Sequence, residues 1–412
     1  MSETSYYDER ETQDPAERQK ALFERLPGQI QHASSSTTAY ASLLEEIDPG
    51  QINNPEALAR LPVVRKSELL ERQRSARPFG GFAAGDIGEM ARVFGSPGPI
   101  YEPEPFGTDY WRMARALFAA GVRKGMLVHN TFAYHFTPAG VMIETGAHAL
   151  GCPVFPAGTG QTELQVQTIA DLKPAAYVGT PSFLKIILEK AEETGADVSS
   201  LAHGLVSGEA LPPSLRAALA DKGVDVLQCY ATADLGLIAY ETEAREGLVI
   251  DEDLIVEIVR PGSDEPVPEG EVGEVVVTNF NRAYPLIRFG TGDLSAMMPG
   301  TSPCGRTNAR IKGWMGRADQ ATKVKGMFVH PSQVNEVVKR YPQILRARLV
   351  VDNREGQDVM TLRCETRDGG DIADALVGTI REVCKLRGQV ELVEPGSLPN
   401  DGKIIDDVRS YE

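Results

Sequence analysis

MLVHNTF (126–132), CPVFPAG (152–158), AAYVG (175–179), HGLVSG (203–208) and VDVLQCY (224–230) are short apolar runs. Each is separated from the next by a stretch with helical periodicity: TPAGVMIETGAHALG (137–151), TELQVQTIADL (162–172), SFLKIILEKAEETG (182–195) and PPSLRAALADKG (212–223), with GTDYWRMARALFAAG (107–121) ahead of the first. Buried strands alternating with amphipathic helices through short Gly and Pro turns predict parallel strands with crossover helices. Such a sheet binds ligands outside the carboxyl ends of its strands. The turns after Asn130, Gly158, Gly179, Ser207 and Tyr230 are therefore the first places to look for chemistry.

Outward from this core the texture changes. The first 80 residues read as helices with polar joints: Asp14-Pro15 opens a stretch with Ala21, Leu22, Leu26 and Ile30 at helical spacing, and NPEALARL repeats the pattern after Asn54-Pro55. Beyond residue 240 helices thin out, and DLIVEIVRPGSDEPVPEGEVGEVVVTNF reads as a β-hairpin with a turn-rich connection. From about 318 a separate unit follows: helix PSQVNEVVKRY, strands ARLVVD and VMTLRCE, a long helix DIADALVGTIREVCKLRG and a last strand QVELVE. The expected fold class is α/β, with a large N-terminal body of parallel sheet layers plus a β subdomain and a small mobile C-terminal α+β lid. The body spans 1–317 (helical start 1–80, α/β core about 81–240, β-rich part about 241–317), and the lid spans 318–412.

The chain has 412 residues, with 42 Lys plus Arg against 58 Asp plus Glu, a net charge of −16. That balance argues against nucleic-acid and anionic-membrane partners, which require clustered cations. No apolar run approaches the roughly 18 residues of a membrane helix, and the opening MSETSYYDERETQDPAERQK lacks the apolar segment of a secretory signal. Five scattered cysteines fit thiol usage in a reducing cytoplasm. A cytoplasmic location is expected.

Three stretches carry candidate chemistry. In RFGTGDLS (288–295), Asp293 reads as a loop carboxylate suited to ribose hydroxyls, or as a surface-turn cap. In GWMGRADQATKVKGMFVHPSQV (313–334), Gly316, Arg317 and Asp319 precede a Lys-rich hairpin where composition marks a domain boundary. The third is LPNDGKIIDD, with Lys403 after a glycine near the C-terminus.

Their order and spacing resemble one family. With LARLPVVRKSEL near 59, VHNTFAYHFTPAG at 128, IADLKPAAYVGTPSFL at 169, SGEALPPSLR at 207, CYATADLG at 229, YPLIRFGTGDLS at 284, PCGRTNARIKGWMGRADQ at 303, HPSQVNEVV at 330 and GKIIDDV at 402, the chain is similar to AMP-forming, adenylate-forming ligases of the phenylacetate–CoA ligase branch. The resemblance runs from about residue 15 to the end. It implies activation of an aromatic, phenylacetate-like carboxylate by ATP as acyl-AMP, then transfer to the thiol of coenzyme A, with Mg²⁺. It also implies that Gly208, Glu209 and Ala210 line the adenine site and that Tyr230 packs on the adenine ring. Asp234 falls on the Mg²⁺-linked carboxylate, Asp293 on the ribose-binding Asp and Arg317 on a nucleotide-contacting Arg. Asp319 falls on the hinge, and Lys403 on the lid lysine that bridges acyl carboxylate and α-phosphate. Tyr134 and Phe136 fall beside the acyl pocket, or serve as core aromatics. A homodimer is common among relatives.

The sequence departs from the family at its phosphate loop. Ser96, Pro97, Gly98, Pro99, Ile100, Tyr101, Glu102 and Pro103 replace a loop of hydroxyls and a lysine. Glu102 is expected to face the triphosphate, at a cost on the order of 4 kcal/mol per like-charge pair at 4 Å and an effective dielectric of 20. Ala233 and Gly290 stand where the family has a hydroxyl residue and an arginine. Part of the family holds a structural zinc. Here Cys304 keeps one ligand position, but Thr242 and Val249 lie in the stretch expected to hold the others, so no zinc is expected. Two other readings share these residues: an impaired homologue that binds adenosine nucleotide or an acyl ligand, and an adenylating enzyme with an acceptor other than coenzyme A.

Overall fold

The helix Pro181–Thr194 shows how the sequence builds this molecule. Pro181 stands at its first position, the Thr180 hydroxyl accepts from the Phe183 N–H, and Gly195 ends it at φ +69. Leu184, Ile187, Leu188 and Ala191 recur at helical spacing and are buried against the sheet strand Ala176–Gly179 and its neighbours. The computed structural model describes residues 5–96, 99–260, 263–315, 317–318, 322–324, 327–329, 331–354, 357–366, 372–399 and 403–409.

The core is a nine-stranded sheet. Its parallel part runs Val154–Pro156, Val128–Asn130, Ala176–Gly179, His203–Val206, Asp225–Thr232. It continues antiparallel through Gly236–Tyr240, Leu248–Ile250, Arg310–Ile311 and Met297–Met298. A second, four-stranded sheet orders Val64–Arg65, Phe289–Ser295, Gly273–Asn279 and Leu254–Val259. The expected hairpin after residue 253 is present as the antiparallel pair Leu254–Val259 and Gly273–Asn279. Among the described residues no helix is long and apolar enough to cross a membrane.

The chain divides into two compact units, Met1–Met315 and Gly316–Glu412. The second has its own core, in which Val334, Val337, Leu349, Leu362, Leu376 and Ile380 are buried. Its sheet orders Gln389–Val393, Gln357–Thr366, Ile344–Arg354 and Ile405–Asp407.

Three local readings need correction. The helix expected from 107 begins only at Met113, because Asp109 and Arg112 take left-handed backbones at φ 47 and 62. The Asp109 carboxylate caps that helix by accepting from the N–H groups of Met113 and Ala114, at 2.8 and 3.0 Å. Asp293 is not on a loop but inside the strand Phe289–Ser295. Residues around the phosphate-loop position form a two-stranded hairpin, Met90–Ser96 with Ile100–Pro105; the turn at 97–98 lies outside the described residues.

Candidate active site

Tyr230 and Asp293 come from different sheets and meet. The strand Asp225–Thr232 carries Tyr230, and its hydroxyl donates to Asp293 Oδ2 at 2.8 Å and lies 3.1 Å from Thr291 Oγ1. Asp293 is placed by an irregular register: Glu274 pairs with Leu294 and Val276 with Gly290, so extra residues bulge between them, with Gly292 at φ +77. The strand is anchored at its start by Arg288, fully buried, whose guanidinium donates to the carbonyls of Ala59, Leu61 and Asp264 and pairs with Glu257 at 3.0 Å. A second donor reaches the same carboxylate: Trp314 Nε1 lies 3.1 Å from Asp293 Oδ1.

At Gly290, where the family has an arginine, a side chain fits only if its neighbours shift. A side chain there would meet Glu274 Oε1 at 2.7 Å and the Arg65 stem at 3.2 Å, and Arg65 Nε pairs with Glu274 at 3.1 Å. The Arg65–Glu274 pair fills that space.

A buried ionic cluster lies on the hairpin side. Lys66 Nζ pairs with Asp234 Oδ2 at 2.5 Å, while Asp234 Oδ1 is buried without a hydrogen-bond partner among the described residues. Glu102, expected to face the triphosphate, is instead fully buried; its carboxylate accepts from the Ser96 hydroxyl at 2.5 Å and the Ser96 N–H at 3.2 Å. Burial pushes the Glu102 carboxyl up to about 8 and the charge of Asp234 adds to the rise, against smaller opposing effects of Ser96 and Lys66. Burial thus favours the uncharged carboxyl, which weakens the expected repulsion of triphosphate.

Gly208, Glu209 and Ala210 are exposed in the turn after His203–Val206, where Glu209 accepts from Ser182 Oγ at 2.5 Å. Tyr134 packs over Gly140, whose missing side chain leaves room for the ring, and its hydroxyl donates to Glu144 and accepts from the Asn130 amide, both at 2.9 Å. Phe136 is 85% exposed, which rules it out as a core aromatic; it stands at φ 63, and its carbonyl accepts from the Gly95 N–H at 2.8 Å. This bond ties the hairpin to the aromatic turn. Arg317 and Lys403 belong to the C-terminal unit, where Lys403 Nζ lies 2.9 Å from Asp406 Oδ1. Asp319 lies outside the described residues. Cys304 Sγ lies 3.0 Å from Ser302 Oγ and 3.5 Å from Arg306 Nη1, a cation where a metal would need ligands. No cluster of three or more His, Cys, Asp or Glu able to hold a metal occurs among the described residues.

The sequence reading missed Lys66, Thr291 and Trp314. Lys66 lies in the quoted stretch LARLPVVRKSEL, but its partner Asp234 is 168 residues away. Trp314 carried a signal: one of only two tryptophans, inside a stretch already singled out.

A carboxylate and a tyrosine from two sheets meet here at the carboxyl end of a parallel strand, the place where open α/β sheets bind their ligands. Residues 109–282 match the family of AMP-binding enzymes, and 326–408 match the AMP-binding enzyme C-terminal domain. Phenylacetate-coenzyme A ligase of Thermus thermophilus is 33% identical over 83% of this chain and 80% of its own length. That of Pseudomonas putida is 32% identical over 92% and 91%. The structure of 2-hydroxyisobutyryl-CoA ligase in complex with 2-HIB-AMP and CoA, in the thioesterification state, superposes with a TM-score of 0.76 at 28% identity, covering 100% of this chain and 94% of the other. The chain belongs to the phenylacetate–coenzyme A ligase family of AMP-binding enzymes.

Proposed function

We propose that this chain is an AMP-forming acid–thiol ligase acting on an aromatic, phenylacetate-like acid. A carboxylate oxygen attacks the α-phosphorus of ATP and the bond to pyrophosphate breaks. The thiol sulfur of coenzyme A then attacks the acyl carbon, AMP leaves, and the thiol proton passes to solvent. The observation that carries this reading is the Tyr230–Asp293 pair, two family positions 63 residues apart joined at 2.8 Å. Asp293 would accept from ribose hydroxyls, Tyr230 would pack on adenine, and the exposed turn of Gly208, Glu209 and Ala210 would border it. Arg317 would contact nucleotide, and Lys403 would bridge the acyl carboxylate and α-phosphate, an electrostatic role of the kind that dominates such reactions. Asp319 would be the hinge of the lid.

Mg²⁺ fits this site in one respect: the buried Asp234 Oδ1 lacks a hydrogen-bond partner among the described residues and has lone pairs to offer a hard cation. Bound there, the ion would offset triphosphate charge. Tyr134 and Phe136 would border the acyl group. A cytoplasmic location fits its five free cysteines, and a homodimer, common among relatives, belongs to the same proposal.

The test is pyrophosphate release with ATP, Mg²⁺ and coenzyme A across aromatic and aliphatic acids. Acid-dependent release, largest with aryl acids and accompanied by AMP and an acyl thioester, is expected. Release without a thioester would point to another acceptor, and no release with any acid would refute the ligase reading.

A further inference from the structure

Asp293 is engaged by a residue that ends the N-terminal unit. Three bonds lay residues 313–315 along the strand Phe289–Ser295. Ser295 Oγ donates to the Gly313 carbonyl at 2.7 Å, Trp314 Nε1 to Asp293 Oδ1 at 3.1 Å, and the Met315 N–H to the Leu294 carbonyl at 2.9 Å. Gly316, the next residue, begins the C-terminal unit. The segment that leads out of the body is thus fastened to the strand that carries the proposed ribose carboxylate.

Asp293 is only 8% exposed, and Tyr230 and Trp314 each donate to one of its oxygens. A ribose that is to donate two hydroxyls to this carboxylate must displace a neighbour. Tyr230 packs against the large body core, whereas Trp314 is 54% exposed. Of these two donors the indole is the more exposed.

We propose that Trp314 is a positioning residue that competes with the nucleotide ribose for Asp293, so that nucleotide binding unfastens residues 313–315. This rests on Asp293 being the ribose carboxylate. Here the indole N–H partly satisfies a nearly buried charge and helps hold the outgoing segment on the strand. Ribose hydroxyls supply replacement donors, the indole swings out, and the segment leading to Gly316 loses one of its three attachments. Nucleotide occupancy is thereby coupled to the freedom of the connection to the C-terminal unit.

The chain suits a direct test, because its other tryptophan, Trp111, is 1% exposed and lies in a separate core cluster. AMP and 2′,3′-dideoxy-AMP are titrated into the parent and into Trp314→Phe, with tryptophan emission and calorimetry as readouts. The phenylalanine keeps the ring and removes the N–H. AMP should shift the parent's emission to the red and leave that of Trp314→Phe unchanged. The variant should bind AMP about tenfold more tightly, the scale of one hydrogen bond to a charged group. The dideoxy analogue should bind both proteins alike and shift neither. A preserved ribose preference with unchanged AMP affinity in Trp314→Phe and no emission shift in the parent would overturn the competition alone. Equal affinity of the parent for AMP and its dideoxy analogue would overturn the ribose assignment of Asp293, and the proposal with it.

Discussion

Glu102 shows how far a residue's identity is from its role. By charge alone it reads as an obstacle to triphosphate, but its carboxyl is buried, bonded to Ser96 and raised to about 8 by burial and by Asp234. The consequence for stability has a definite sign. Between the ordinary value of 4.5 and about 8, the folded protein holds a proton that the unfolded chain has released. Stability contributed by this group is therefore full below 4.5 and lost as pH rises through 8. Glu102→Gln keeps the shape and removes the titration. Urea unfolding should find the variant close to the parent at pH 5 and more stable by about 2 kcal/mol at pH 8.5, a figure reduced from the full shift for its coupling to Asp234 and Lys66. A constant gap at both pH values would mean that the carboxyl titrates normally. Replacement by lysine, by contrast, would bury a second ammonium near Lys66. Single residues were legible where the family motif names them, as for Tyr230 and Asp293. They were illegible where the deciding partner is remote, as with Lys66 and Asp234, 168 residues apart.

At the scale of elements, apolar runs and helical spacing made the parallel sheet readable, since buried parallel strands carry their signal within a few consecutive residues. Two elements escaped for physical reasons. Gly290, Thr291 and Gly292 look like a turn, yet the strand absorbs them as a bulge, with Gly292 at φ +77. The hairpin Met90–Ser96 and Ile100–Pro105 contains Glu and Pro in place of alternating β-branched residues, a pattern that hides a strand. The helix Met113–Ala119 starts late for a reason that can be tested. Asp109 sits at φ 47 and its two carboxylate oxygens accept from Met113 and Ala114. Asp109→Ala removes the cap and leaves a side chain that dislikes a left-handed backbone, for a loss of about 2 kcal/mol. Asp109→Asn tolerates that backbone and still offers an acceptor, so its loss should stay below about 1 kcal/mol. Urea midpoints of the three proteins measure both. Equal losses would show that the charge, and not the cap geometry, matters.

At the scale of the molecule, the division into a body and a smaller C-terminal unit follows from two separate cores. Residues such as Leu349, Leu362 and Ile380 bury one another within the second unit. That unit holds Lys403, whose ammonium lies 2.9 Å from Asp406 Oδ1 in an exposed pair three residues apart. Exposed pairs of this kind are worth about 0–1 kcal/mol, so the contact to Asp406 can be given up for a stronger anion at little cost. A carboxylate and an α-phosphate becoming joined are such anions, and one preorganised donor there is worth about a hundredfold or more in rate. The proposed role confines that contribution to adenylation, since thioester formation breaks the bond to AMP and has no incoming carboxylate to bridge. Lys403→Ala removes an exposed side chain and should leave the fold intact. Pyrophosphate release from acid and ATP should fall at least about a hundredfold. Conversion of a supplied acyl-adenylate and coenzyme A to the thioester should stay within about twofold of the parent, because the electrostatic work assigned to the lysine is already complete. Single-turnover assays of each half-reaction separate the two, and equal loss in both would show that Lys403 serves the folded C-terminal unit or the whole reaction instead of one step.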